Sequence, residues 1–169
     1  MLNLKTLFIS ATLAALATTA SAGDAPFSQY GEAEGWIVFV DTEKNSCLVE
    51  KSDDLGNVVQ MGLTKDRAIG YVGVFTTAET DIKRGDAQAV LISLDGNLYV
   101  GEAKGMRGNI TKGYSGGYVL SDDPQFVEDL ARKHVMEVFP EKTYGFSVNL
   151  AGTYKAIEMA RDCNKEQLG

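Results

Sequence analysis

Short apolar runs separated by Gly, Asn and Asp dominate the chain from about residue 35 to residue 120. Runs of about four to eight residues bounded by turn-forming residues are typical of an antiparallel β domain. The first run is apolar on both faces and therefore predicts a central strand. The pattern predicts strands at residues 35–41, 46–51, 58–63, 69–76, 89–94, 98–101 and 118–120.

Turn-forming residues indicate how these strands are joined. The clearest case is Asp95-Gly96-Asn97, because Asp-Gly supplies the positive φ values that a tight hairpin requires. Residues 42–45 form the predicted loop of a first hairpin, residues 53–57 a second turn, and residues 79–86 a charged loop. Two hairpins are therefore predicted, one from residues 35–41 and 46–51 and the other from residues 89–94 and 98–101.

The hydrophobic period changes after residue 121. Asp122-Asp123-Pro124 predicts the start of a helix of about ten residues, because an acidic N-cap and a first-turn proline favour this position. Its apolar face recurs at spacings of three and four, and consists of Phe126, Val127, Leu130, Ala131 and His134.

Two more strands and a second helix complete the pattern. Residues 135–139 predict a short strand, and residues 144–150 alternate as a half-buried strand does. The last helix is predicted from about Thr153 to Cys163, with Ala156, Ile157, Ala160 and Cys163 on one face. The predicted fold class is therefore mainly β (α+β): an antiparallel β-sandwich or curled sheet with two packed helices, the second at the C-terminus.

The first residues predict export. Lys5 precedes an apolar run at residues 7–17, and Ala20-Ser21-Ala22 is a small-x-small cleavage site. The run is shorter than the roughly 20 residues that cross a bilayer, so no membrane anchor is predicted. We expect a signal peptide at residues 1–22, a flexible leader at 23–34 and a single β-rich domain at 35–169. The signal is of bacterial type, which predicts a periplasmic or secreted protein.

The chain carries a formal net charge of −7. A charge of this sign disfavours nucleic acid as a partner and is repelled by anionic lipid.

Two cysteines, Cys47 and Cys163, lie near opposite ends of the predicted domain. In an oxidising compartment they predict a structural disulfide. The alternatives are two buried thiols or a redox site, but no C-x-x-C is present. No metal site is predicted, because zinc prefers four ligands and His134 is the only histidine.

Candidate chemistry is sparse. His134 would have to serve in any histidine-dependent site, yet its apolar neighbours favour a packed or capping role at the end of the first helix. Asp53 and Asp54 are explained as turn residues, since the spacing of a calcium loop is absent. No catalytic residue and no cofactor is predicted.

A glycine-rich stretch at residues 105–117 is the candidate contact surface. Exposed backbone amides and clustered cations favour an anionic group, whereas a mobile loop that balances local charge is the alternative interpretation. The candidate residues are Lys104, Arg107, Lys112 and Tyr114.

Several of these features, taken in order, resemble the invasion-associated locus B family. The resemblance covers most of the predicted domain and is carried by Trp36-x-Val38, Cys47, Leu94-Asp95-Gly96, and residues 148–152 followed by Ala156. It implies a small exported bacterial protein with a β-sandwich-like fold, a role at the cell envelope and no catalytic residues.

The sequence thus favours a non-enzymatic exported binding or accessory protein, with a protein or a small molecule of the cell envelope as its partner. One alternative is a hydrolase built from carboxylates that folding brings together, such as Asp53, Asp54 and Glu102. Another is a small-ligand carrier with an apolar pocket between sheet and helices. A cleft with facing acids would favour the first alternative, and a large cavity the second.

Overall fold

The computed structural model describes residues 26–64, 67–83, 85, 87–107 and 113–168. Within these residues, strand predominates over helix. The elements are β1 (Phe27–Ala33), β2 (Trp36–Asp41), β3 (Ser46–Ser52), β4 (Val58–Leu63), β5 (Gly70–Thr76), β6 (Ala87–Leu94), β7 (Asn97–Arg107), β8 (Ser115–Ser121), α1 (Pro124–Arg132), β9 (Val135–Val138), β10 (Phe146–Asn149) and α2 (Thr153–Glu166).

The ten strands form one continuous antiparallel ladder in the order β1-β2-β3-β4-β5-β8-β7-β6-β9-β10. The first five strands follow the chain, and the hairpin β6–β7 is placed beyond β8. The predicted fold class is therefore confirmed: the protein is mainly β, with two helices and the second at the C-terminus.

One face of the sheet provides the core. Alternate residues point inward from strands along the whole ladder, and they belong to a single apolar cluster with the helices. The sheet therefore curls so that strands far apart in the ladder face one another. Trp36 of β2 is fully buried, and its Nε1–H donates to the carbonyl of Ala151 at the start of α2, 2.9 Å away. This bond links the two ends of the ladder.

Both helices begin where their sequences predict. Asp123 caps α1, where its carboxylate accepts the N–H of Gln125 at 2.9 Å, and Pro124 follows at the first helical position. Gly152 precedes α2 with a φ of 84°, a conformation that glycine adopts without strain. Helix α2 buries Ala156, Ala160 and Cys163 against the sheet.

The predicted flexible leader at residues 23–34 is wrong where the structure describes it. Residues 27–33 form β1, which pairs with β2 and interrupts its register between Gln29 and Gly31. Most of β1 is exposed. It is an edge strand stabilised by its backbone hydrogen bonds to β2, so it lacks the apolar alternation of inner strands. The predicted signal peptide lies outside the described residues.

The glycine-rich stretch at residues 105–117 is strand at both of its ends. Strand β7 extends to Arg107 and β8 begins at Ser115, and these two residues pair. Residues 108–112 lie outside the described residues. The glycines at 105 and 117 pair with each other across the ladder.

Candidate functional site

A pocket of about 210 Å³ lies between the sheet and both helices. Strands β3, β4 and β5 provide one wall, and α1 and α2 provide the other. Its lining residues are Cys47, Val49, Met61, Gly62, Leu63, Gly70, Tyr71, Val72, Ser121, Phe126, Val127, Leu130, Ile157, Ala160, Arg161 and Asn164.

Most residues that line this pocket are apolar, and two of its polar side chains, Asn164 and Ser121, are hydrogen-bonded to the protein. The Asn164 side chain accepts the N–H of Cys47 at 3.0 Å and donates to the carbonyl of Ala160 at 2.8 Å. The Ser121 hydroxyl accepts the N–H of Asp123 at 3.1 Å. Dry apolar cavities of about 150 Å³ bind benzene-sized molecules. This pocket is therefore large enough for a small apolar ligand.

Among the described residues that line the pocket, Arg161 is the only charged one. Its side chain is 60% exposed and forms an ion pair with Glu158, one helical turn earlier. The guanidinium of Arg67 donates to the carbonyls of Asn164, at 3.2 Å, and Asn45. Arg67 thus fastens the loop before β5 to the end of α2, beside the pocket.

The predicted disulfide is confirmed. Cys47 and Cys163 are bonded, with their Cα atoms 6.1 Å apart, and both are buried. Cys47 also lines the pocket, so the disulfide holds α2 against β3 at the pocket wall. Within the described part of the chain, neither helix is long and apolar enough to span a membrane.

The structure does not describe most side chains of the predicted contact surface. Lys104 and Arg107 belong to β7, but the structure does not describe their side chains. Lys112 lies wholly outside the described residues. Tyr114 is half-buried just before β8. This surface therefore remains a prediction.

Asp53, Asp54 and Glu102 are the carboxylates that the hydrolase hypothesis would bring together. Asp53 accepts the N–H groups of Leu55 and Asn57 at 2.9 and 2.8 Å, so it stabilises the β3–β4 turn. Asp54 is exposed in the same turn. Glu102 lies on β7, which is separated from β3 in the ladder by β4, β5 and β8, and its side chain is not among those described.

The predicted packed role of His134 is wrong. Helix α1 ends at Arg132, and the His134 side chain is 89% exposed beyond it. Its Nδ1 lies 3.1 Å from the carboxylate of Asp95, which also accepts the backbone N–H groups of His134 and Val135. These backbone hydrogen bonds are the main reason that the pKa of Asp95 lies below its ordinary value. The contacts of Asp95 with His134 and Val135 join the β6–β7 hairpin to the start of β9.

Sequence reasoning overlooked one pattern, Gly-x-Ser-x-Gly at residues 113–117. In hydrolases with a nucleophile elbow, this serine sits on a turn between strand and helix. Here Ser115 is buried within β8 and pairs with Thr76 and Arg107. The Asp95–His134 pair lies at the opposite end of β7, roughly 30 Å away at about 3.3 Å per residue. These groups do not form a catalytic triad.

Sequence reasoning also missed the buried carboxylate of Asp129 on α1. It accepts hydrogen bonds from Asn97 at 2.9 Å, Tyr99 at 2.8 Å and Gln125 at 2.9 Å. The bonds from Asn97 and Tyr99 hold the pKa of Asp129 below its ordinary value, and the bond to Asp129 raises the pKa of Tyr99 to about 12. Because three neutral donors satisfy this carboxylate, it fastens α1 to the β6–β7 hairpin. Among the described residues, no group of three His, Cys, Asp or Glu side chains is arranged to hold a metal.

Comparison with known proteins identifies no relative of this chain. No protein-family model, curated protein or solved structure matches this chain. The resemblance to the invasion-associated locus B family therefore stays a prediction.

Proposed function

We propose that this protein is an exported, non-enzymatic binding protein for a small apolar molecule, which it holds between its sheet and its two helices. The apolar pocket of about 210 Å³ carries this proposal. Pockets lined mainly by apolar side chains with few polar groups are typical of small-molecule sites. The disulfide and the predicted signal peptide fit a periplasmic or secreted location, where structural disulfides persist.

The alternative is an accessory protein that contacts other proteins, and one observation favours it. Leu98 and Val100 on β7 and Leu120 on β8 point away from the core, with exposures of 64%, 74% and 55%. Contiguous exposed apolar groups often mark a protein contact. The pocket gives the more specific hypothesis, because its volume and chemistry define a class of ligand.

The test is a titration of the mature protein with 1-octanol, monitored by ¹H–¹⁵N NMR spectra at each step. We expect saturable shifts at the pocket residues. Ala160→Leu places a larger side chain in the pocket and should weaken octanol binding at least about tenfold, since each methylene that loses its site costs roughly 0.8 kcal/mol.

The matched control is Ala131→Leu, on the other helix at a half-buried position that does not line the pocket. Its octanol affinity should stay within about twofold of the unmodified protein. Absence of binding, or equal weakening by both substitutions, would refute the proposed function. Native mass spectrometry of unreduced protein from the cell envelope would then test for a bound small molecule of another size.

A further inference from the structure

We propose that the ligand is an anionic amphiphile, with its alkyl part in the pocket and its acidic group against Arg161. This inference rests on the proposed function and specifies the ligand class of the same site.

The charges around the pocket support this ligand class. The chain has 23 acidic and 16 basic residues, yet the single charge among the lining residues that the structure describes is the cation of Arg161. Glu158 contacts one nitrogen of the guanidinium, Nη1. Arginine has five N–H donors in a planar fork that suits carboxylates and phosphates, so donors remain for a ligand.

A second cation, Arg67, contacts the C-terminal part of α2. Its guanidinium donates to the backbone carbonyl of Asn164, which lies three residues after Arg161 and itself lines the pocket. The protein as a whole has a net charge of −7. Because Arg161 is exposed, the acidic group of a ligand would stay partly hydrated while its apolar part is buried. That division avoids the large cost of burying a charge.

The volume limits the apolar part. At about 30 Å³ for each methylene- or water-sized group, a pocket of about 210 Å³ holds roughly seven such groups. A medium-length alkyl chain fills this space, whereas a long-chain lipid would extend into solvent.

The experiment compares octanoate with 1-octanol, which has the same chain length and no charge, by isothermal titration calorimetry in 20 mM and 500 mM NaCl. Arg161→Gln should weaken octanoate binding about fivefold at low salt and leave octanol binding within about twofold, because a partly exposed charge pair contributes modestly. For the unmodified protein, salt should weaken octanoate binding more than octanol binding.

Arg132→Gln is the matched control. Arg132 is an exposed arginine on α1 that pairs with Glu128 and does not line the pocket. The Arg132→Gln substitution should leave the affinities for octanoate and for 1-octanol unchanged. If Arg161→Gln changes the affinity for neither ligand, or weakens the binding of both equally, the inference that an acidic group binds Arg161 is overturned while the proposed function stands. If neither ligand binds the unmodified protein, both are overturned.

Discussion

In strands β4, β5 and β8, glycines lie directly opposite tyrosines. Gly73 of β5 pairs with Tyr118 of β8, and Gly62 of β4 pairs with Tyr71 of β5. The two tyrosine rings contact edge to face, with centroids 5.3 Å apart. Each ring occupies the space that its glycine leaves, and this packing compensates for the weak strand preference of glycine.

Gly73→Ala is therefore expected to destabilise the protein. A Cβ at this position would lie 2.5 Å from Cε1 of Tyr118 and 2.8 Å from Cε2 of Phe75, so the rings must move. We expect a loss of about 1–3 kcal/mol in the free energy of unfolding, measured in urea. Gly70→Ala in the same strand is the control, since its nearest contact would be an ordinary 3.4 Å. Equal effects of the two substitutions would contradict this explanation.

Asp129 is expected to make stability depend on pH. Its folded-state pKa lies below the ordinary value of 3.8, so its contribution is present above about pH 4 and is lost as the pH falls through the folded-state value. Asp129→Asn removes the charge at the same size. Its urea midpoint should fall less steeply between about pH 4 and pH 2 than that of the unmodified protein. Parallel pH profiles would show that this carboxylate does not contribute to acid sensitivity.

At the scale of elements, the two helices are held by different chemistry. Helix α1 is fastened by hydrogen bonds to Asp129 and by apolar packing of Phe126 and Leu130. Helix α2 is bonded covalently to β3, and Asn164 adds a hydrogen bond to the backbone of Cys47. The pocket wall formed by α2 therefore depends on the oxidised state of the cysteines.

Removing the disulfide should lower stability and loosen α2. The bridge closes a sequence separation of 116 residues, which corresponds to about 4–5 kcal/mol in the chain-entropy model. In a Cys47→Ala/Cys163→Ala variant, hydrogen exchange should accelerate in α2 and in the β2–β3 hairpin more than in β6. An unchanged melting temperature, with unchanged exchange in α2, would contradict a stabilising role for the bridge.

At the scale of the whole molecule, one core joins every part of the curled sheet. Trp36, the only tryptophan, is fully buried and hydrogen-bonded to Ala151 near α2. Because the apolar cluster is continuous, we expect the domain to unfold cooperatively.

Fluorescence of Trp36 and far-UV circular dichroism should therefore give the same urea midpoint. Tryptophan fluorescence reports on contact between β2 and the α2 corner, whereas the dichroism reports on all strands. Two separate transitions would mean that the curled sheet contains independently folding parts.

The sequence predicts what depends on neighbouring residues. Asp53 stabilises its own turn, Asp95-Gly96 forms the β6–β7 hairpin and Asp123 caps α1, so each element is specified locally. It does not predict strand β1, whose exposed residues carry no apolar period. It also does not predict the position of the β6–β7 hairpin beyond β8, which depends on contacts distant in sequence.

The candidate site follows the same division. The disulfide is predictable because the chain has only two cysteines. An apolar pocket between sheet and helices is predicted only as one alternative, since its volume depends on how far α1 and α2 stand from β4 and β5. Arg161 is not singled out, because an exposed arginine on a terminal helix has no local feature that distinguishes it from Arg132.

The bridge between Cys47 and Cys163 has a consequence for how the protein responds to proteolytic cleavage. The two cysteines are 116 residues apart, so most of the domain lies inside one covalent ring. A protease that cuts one loop inside this ring leaves both fragments joined through sulfur, and the strands and helices stay at high local concentration. The cut protein should migrate as one species without reductant and as two fragments with it.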